Sequence, residues 1–179
     1  MEHDIQSAIS FRSPKIEDGL AIYQLVKQSP PLDVNSSYLY FLQATHFADT
    51  CLVAEKEGEI VGFVSAYFRP DEEDSLFIWQ IAVSEKARGH GLGKQLIYHL
   101  IRNQSNRPIV RDVCCTISPS NKASQNLFKS FAEQHGFIIE KTPFLESHHF
   151  GSDTEDAHEA EDLYRIRAGY NDNLINTLF

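Results

Sequence analysis

Between an apolar run ending at Val83 and a stretch carrying Leu96, Ile97, Leu100 and Ile101 at helical spacing lies Arg88-Gly89-His90-Gly91-Leu92-Gly93-Lys94. Glycines at this spacing let the main chain approach a ligand and turn its N–H groups toward it. A helix starting there adds its unbonded N-terminal amides and its dipole. The chemistry this suits is capture of an anion, phosphate above all, with Arg88 and Lys94 adding charge. The same residues also suit a plain tight turn in which glycine supplies only unusual backbone angles. Two other phosphate motifs are excluded. Lys94 is followed by Gln95, where a Walker loop needs Ser or Thr for magnesium, and the glycine spacing departs from the dinucleotide-binding fingerprint.

A second group of chemistry-bearing residues lies upstream, in Pro31-Leu32-Asp33-Val34-Asn35-Ser36-Ser37-Tyr38-Leu39-Tyr40. An acid in a proline-flanked turn beside two tyrosines suits a cation-binding wall. The competing reading is an amphipathic helix lying over a sheet edge. Near the other end, His158, Glu159 and Glu161 offer an imidazole and two carboxylates. The histidines at 148, 149 and 158 match no metal-ligand spacing, and no metal is expected. Cys51 stands alone, and Cys114 and Cys115 would point to opposite faces of a strand, so all three read as reduced core thiols.

The elements that must position these residues follow from periodicity. Ala8 to Arg12 alternates like a short strand, and Ser13-Pro14 reads as the start of a helix carrying Ile16, Leu20, Tyr23 and Val26, stopped by Pro30-Pro31. Asn35 or Ser36 caps a second helix that ends near His46-Phe47. Thr50–Glu55 and Ile60–Phe68 are strands joined by a turn at Lys56-Glu57-Gly58-Glu59, and Arg69 to Asp74 is a charged loop of the kind that is usually a solvated face. Leu76 to Val83 is a buried strand leading to the glycine loop and its helix. Arg107-Pro108 interrupts, Val113–Ile117 is a strand, and Asn121 opens a helix closed by Gly136. Phe137–Glu140 is a strand, Glu146–Ala160 a polar loop, Glu161–Arg167 the last strand, and the tail from Ala168 lacks a pattern and reads as frayed.

At 179 residues the chain reads as one domain spanning 1–179, able to bury its own core. No stretch approaches the roughly 20 apolar residues of a membrane span, and Met1-Glu2-His3-Asp4 lacks the basic start of a signal peptide, so a cytoplasmic protein without membrane partners is expected. A net charge of -9 argues against nucleic acid and agrees with a cationic small molecule or a basic peptide, or simply with an ordinary acidic protein.

Arg88-x-x-Gly91-x-Gly93 after an apolar strand resembles the pyrophosphate loop of the GCN5-related N-acetyltransferases (GNAT). Asn121 with Leu127-Phe128 and Gly136-Phe137 resembles that family's second cofactor segment. The resemblance implies a mixed α/β fold: a twisted, largely antiparallel sheet of about seven strands splayed around acetyl-CoA, with about four helices. It implies pyrophosphate contacts from the backbone of Arg88, Gly89, His90, Gly91, Leu92, Gly93 and Lys94. The pantetheine arm would meet Ile81, Val83 and Asn121, although helix capping alone would also account for Asn121.

A narrower resemblance spans residues from about 9 to 167. Asp33-x-Asn35-Ser36-x-Tyr38-x-Tyr40, His46-Phe47-x-x-Thr50-Cys51, Trp79-Gln80-Ile81-Ala82-Val83 and His158-Glu159-x-Glu161 are similar to the L-2,4-diaminobutyrate acetyltransferases of ectoine synthesis. That implies acetyl transfer to the γ-amine of a small diamine by a homodimer. Asp33, Tyr38, Tyr40, Trp79, His158, Glu159 and Glu161 would meet the substrate. Trp79 could equally be a core aromatic, Glu161 a surface acid and His158 a loop histidine. Phe128 stands where many GNAT enzymes carry a proton-donating tyrosine, and Phe77 and Trp79 where several carry a strand base. Direct attack of the amine on the thioester is therefore expected, with the Val83 N–H polarising the carbonyl, an acid such as Glu161 available as base and Tyr38 a substitute proton donor. Acetylation of another diamine or a peptide amine, and non-catalytic acyl-CoA sensing, are the alternatives.

Overall fold

The computed structural model describes residues 9–151, 158–169 and 173–178. Met1–Asp4, Ala8 of the expected first strand, 152–157 of the polar loop, and 170–172 and 179 of the tail lie outside the described residues. In chain order the elements are β1 Ser10–Arg12, α1 Gly19–Lys27, α2 Ser37–Gln43, β2 Cys51–Lys56, β3 Glu59–Arg69, β4 Glu72–Val83, α3 Leu92–Arg102, β5 Asp112–Ile117, α4 Lys122–His135, β6 Ile138–Leu145, β7 Glu161–Arg167 and α5 Leu174–Thr177. The strand order is β1-β2-β3-β4-β5-β7-β6. β2 pairs antiparallel with β1 and β3, and β7 with β5 and β6, while β4 and β5 run parallel. The chain packs as two compact units, one comprising residues up to Ala66 with Gln80–Asn103, the other Tyr67–Trp79 with Gln104 onward.

In the first unit, the apolar stripe of α1 (Ile22, Leu25, Val26) packs with Tyr40 and Ala44, with Cys51 and Val53 of β2, and with Phe63 and Ala82. Helix α3 buries Leu92, Leu96, Ile97, Leu100 and Ile101. It lies close over β3 because Gly62 has no side chain: a Cβ there would sit 3.1 Å from Leu96 Cδ1 and 3.3 Å from Leu92 Cδ2. The first helix starts later than Ser13-Pro14 suggests. The Arg12 guanidinium donates to both Asp18 carboxylate oxygens (2.7 and 3.0 Å) and to Glu55, and Lys15 N–H donates to Asp18 as well. These bonds hold Lys15 extended, so a short 3-10 turn at Ile16–Asp18 precedes the α-helix.

In the second unit, β5 and β7 form the centre, where Val113 pairs with Ile166 and Cys115 with Tyr164, all four buried. The expected charged loop before β4 is largely strand. Glu72 is paired with Arg165, Asp74 with Arg111, and the turn shrinks to Pro70-Asp71, where Arg69 closes on Asp71. Buried Asp112 accepts from Ser75 Oγ and from Arg165, whose guanidinium also grips Glu72, so the start of β4 is bonded to β5 and β7. Glu140 and Lys141 of the edge strand β6 are ion-paired with Arg167 and Asp162 of β7, and β6 continues to Leu145, five residues beyond the expected end. The tail does not wholly lack structure: Asn173 Oδ1 accepts from Val110 N–H, and α5 follows with Leu174 fully buried.

His99, on the last turn of α3, stacks on Phe11 of β1 at 4.1 Å between ring centroids. Burial, helped by nearby Arg102, pushes its pKa below the ordinary imidazole value. Unfolding restores that value of about 6.5, so the unfolded chain binds more protons as the solution is acidified. Stability conferred by neutral His99 is thus present above about pH 6.5 and declines as pH falls toward the lower folded-state pKa. Thermal melts at about pH 7.5 and about pH 5.5 should show a smaller drop in Tm for His99→Gln than for the wild type. An equal drop would show that His99 does not carry the dependence.

Candidate active site

Along β4 the side chains alternate. Leu76, Ile78, Gln80 and Ala82 are buried, whereas Phe77, Ile81 and Val83 are half-buried and Trp79 is 49 % exposed. The main chain alternates as well. Gln80 N–H donates to Ser65 Oγ and Ser84 N–H to Val61 O, both toward β3. The amides of Ile81 and Val83 therefore point to the opposite edge. Along the strand this gives two N–H groups two residues apart, the spacing with which an extended amide-bearing ligand can pair as another strand would. Parallel pairing of β4 with β5 covers Ser75–Phe77 and Asp112–Cys114, and β4 runs on to Val83.

Beyond Val83 the chain makes a short 3-10 turn at Glu85–Ala87 and enters the glycine loop. Arg88 Nε donates to Val83 O at 3.1 Å, tying the loop back to the end of β4. Gly89 and Gly91 have φ of +82° and +74°, the left-handed region, and a Cβ at either would meet no atom within 4 Å. Backbone angle, not crowding, is what requires glycine there. Gly91 is the N-cap of α3 and supplies no side chain to cap it, and the first helical bond runs from Gln95 N–H to Gly91 O. The amides of Leu92, Gly93 and Lys94 therefore precede the helical ladder, at the positive end of an 11-residue helix whose Leu92 side chain anchors it in the core. His90 is exposed beside them. These are the amides that an anion cradle would use.

Asp33 to Tyr40 is placed against β4 by buried Gln80. The Gln80 Nε2 donates to Asp33 O at 2.7 Å, and its Oε1 accepts from the Tyr40 hydroxyl at 3.3 Å, which itself accepts from Asn35 N–H at 3.3 Å. Tyr38 and Tyr40 do not form one wall. Two residues apart on α2 they face opposite sides, Tyr40 fully buried and Tyr38 68 % exposed. Tyr40 therefore acts on the turn through its hydroxyl and lines no open surface. The sequence motif that contains Gln80 assigns it no role, although a polar residue between Ile78 and Ala82 in an apolar run is a signal for one.

The second unit holds the remaining candidates. Asn121 Oδ1 accepts from Ser124 N–H at 3.1 Å and caps α4, and Gln125, also unforeseen, donates to Ser118 O and Pro119 O. The Glu159 carboxylate accepts from Ser120 N–H and from Ser120 Oγ, bringing it to the turn that contains Asn121. His158 stacks on Phe150. Glu161 is half-buried at the start of β7, and among the described residues its carboxylate makes no hydrogen bond or ion pair. Phe128 is buried in the apolar face of α4. Burial pushes the Cys51 thiol up to about 12 and raises those of Cys114 and Cys115, so all three stay protonated and inert. Among the described residues no His, Cys, Asp and Glu cluster could hold a metal, and no helix is long and apolar enough to cross a membrane.

A profile of the acetyltransferase (GNAT) family matches residues 20–132, which include β4, the glycine loop and most of α4. The chain belongs to the GNAT acetyltransferase family. This GNAT enzyme is 45% identical over 157 residues to L-2,4-diaminobutyric acid acetyltransferase of Vibrio parahaemolyticus, covering 87% of this chain and 84% of that one. The enzyme of the same description from Chromohalobacter salexigens is 43% identical over 162 residues, covering 90% and 82%. Among solved structures, diaminobutyrate acetyltransferase EctA from Paenibacillus lautus, in complex with its substrate L-2,4-diaminobutyric acid and coenzyme A, superposes with a TM-score of 0.85. It shares 37% identity and is covered over 98% of its length by 93% of this chain. Acetyl-CoA is the acyl donor of the GNAT enzyme, and the amide cradle fits its pyrophosphate.

Placing a Cβ on the left-handed Gly91 costs about 1–2 kcal/mol and tilts the first amides of α3. In Gly91→Ala the KM for acetyl-CoA should rise by about tenfold, with the KM for the amine little changed. Equal KM values for acetyl-CoA in both proteins would remove the loop from cofactor binding.

Proposed function

We propose that this chain transfers the acetyl group of acetyl-CoA to the γ-amino group of L-2,4-diaminobutyrate, giving N-γ-acetyl-L-2,4-diaminobutyrate for ectoine synthesis. The observation that carries the substrate is the near full-length likeness to an enzyme solved with diaminobutyric acid and coenzyme A. We read residues 1–179 as one acetyltransferase domain, working as a cytoplasmic homodimer in a bacterium that accumulates ectoine under osmotic stress. The family profile, which spans parts of both compact units, supports the single-domain reading.

The chemistry sets what the residues must do. An alkyl ammonium with a pKa near ~10.4 costs roughly 4–5 kcal/mol to deprotonate at pH 7. The second ammonium of diaminobutyrate, a nearby like charge, lowers that cost. Asp33 is the partner for the α-ammonium, and Trp79, on the more open face of β4, packs against the short carbon chain or its cation. The neutral γ-amine attacks the thioester carbonyl, whose oxygen receives the Val83 N–H. The tetrahedral intermediate collapses with release of the CoA thiolate, and the amine's surplus proton passes to a carboxylate. Glu161 is the better base than Glu159, because Ser120 already holds the Glu159 oxygens. His158 orients the acids. Tyr38, exposed on α2, is the group that could protonate the thiolate where Phe128 cannot. Ile81 pairs with the pantetheine amides, and Asn121 bonds to the same arm while capping α4.

Acetyl-CoA-dependent thiol release should be compared for L-2,4-diaminobutyrate, ornithine, lysine, spermidine and a basic peptide, with the product located by NMR. Strong preference for diaminobutyrate with γ-acetylation is expected. Preference for the peptide would reassign the acceptor, and bound acetyl-CoA without turnover of any amine would make the chain a sensor. For the base, Glu161→Gln should lower kcat by about 100-fold or more, while Glu159→Gln retains most activity. The reverse ranking would transfer the role to Glu159.

A further inference from the structure

The buried amide of Gln80 is a polar group that the acetyl-transfer chemistry does not itself use. It is 6 % exposed on the inward face of β4, between Ile78 and Ala82. A buried primary amide is costly unless its donor and acceptor are both met. Here both are met by one short segment of chain. Asn35 N–H donates to the Tyr40 hydroxyl, the Tyr40 hydroxyl donates to Gln80 Oε1, and Gln80 Nε2 donates to Asp33 O. The direction of each bond is forced. Asp33 O can only accept, so Nε2 must face it, and Asn35 N–H can only donate, so the hydroxyl proton is left for Oε1. The main chain on both sides of Val34 is thereby fixed to the strand that carries Trp79, Ile81 and Val83.

We propose that Gln80 is a positioning residue for the amine acceptor. Through Asp33 O and the buried Tyr40 hydroxyl it sets the place of the 33–35 turn, and with it the Asp33 side chain, relative to the end of β4. The proposal deepens the diaminobutyrate reading and rests on it for the identity of the acceptor. Gln80 is buried and its amide is engaged by Asp33 O and the Tyr40 hydroxyl, so it acts through them. Its effect is to keep the turn in one arrangement, so that acceptor binding does not have to order it. The strand amides and the α3 cradle are unaffected by its side chain, so the donor side of the reaction should not sense its loss.

The test uses the full-length enzyme in three forms: wild type, Gln80→Met, which keeps length without hydrogen-bonding groups, and Tyr40→Phe, which keeps the ring and removes one hydroxyl. The KM for diaminobutyrate should rise by about tenfold or more in Gln80→Met and by a smaller factor in Tyr40→Phe. The KM for acetyl-CoA should stay within about twofold in both. Hydrogen exchange supplies a readout independent of turnover. The Asn35 amide should exchange about tenfold faster in both variants, while amides of α3 keep wild-type protection. Gln80→Glu, with the shape of glutamine but no Nε2 donor, should behave like Gln80→Met and not rescue.

Unchanged exchange at Asn35, or an equal rise in both KM values, would overturn the proposal. Should Gln80→Met fail to fold, Tyr40→Phe still decides through the same two measurements. If the wild type ignores diaminobutyrate, the substrate reading falls while the exchange experiment still judges Gln80. If the wild type turns it over and the variants match it, the Gln80 proposal falls alone.

Discussion

Strand β4 buries Leu76, Ile78, Gln80 and Ala82, and the two-residue repeat of a strand then obliges Phe77, Trp79, Ile81 and Val83 to face the other way. The same repeat turns the amides of Gln80 and Ser84 toward β3 and those of Ile81 and Val83 away from it. A single element thus offers a core face, a more open face with Trp79, and an edge of amides suited to an extended ligand. A register slip of one residue would exchange all of these at once. The bonds of Gln80 to Ser65, Asp33 and Tyr40 belong to the register observed and would be lost in the other.

The polar bonds at the two ends of β4 have different roles. At its start, the grip of Arg165 on Asp112 and Glu72, with Ser75 donating to Asp112, fixes where β4 meets β5 and β7. Of these three charges only Asp112 is fully buried, and removing Arg165 would leave it without its ionic partner. At its far end the chain must leave the sheet and begin a helix within a few residues. The Arg88 bond to Val83 O and the left-handed glycines make that reversal and leave the first amides of α3 directed outward. The chain carries a net charge of -9, so an anionic ligand would be drawn by local dipoles of this kind and not by the overall field.

Much of this was legible in the residues. The apolar run to Val83, the glycine spacing and the stripe Leu96, Ile97, Leu100 and Ile101 are local patterns, and local patterns survive folding when nothing distant opposes them. Element boundaries were less legible where distant partners intervened. Arg12 reaching across to Glu55 as well as to Asp18 delays α1, and Arg165 and Arg111 turn an acidic stretch that resembles a solvated loop into the first part of β4. In each case an ion pair far apart in sequence changed the local preference of the chain.

Residue types at short fixed spacings carry the family and the order of strands and helices, and they place the glycine loop between β4 and α3. Tertiary structure alone decided which of two neighbouring tyrosines is buried, that Glu159 is held by Ser120, and that Gln80 supports the Asp33 turn. Those facts depend on pairs 39, 40 and 47 residues apart. A side chain's partner at such separations is set by how strands and helices dock, and no periodicity in the intervening chain records it.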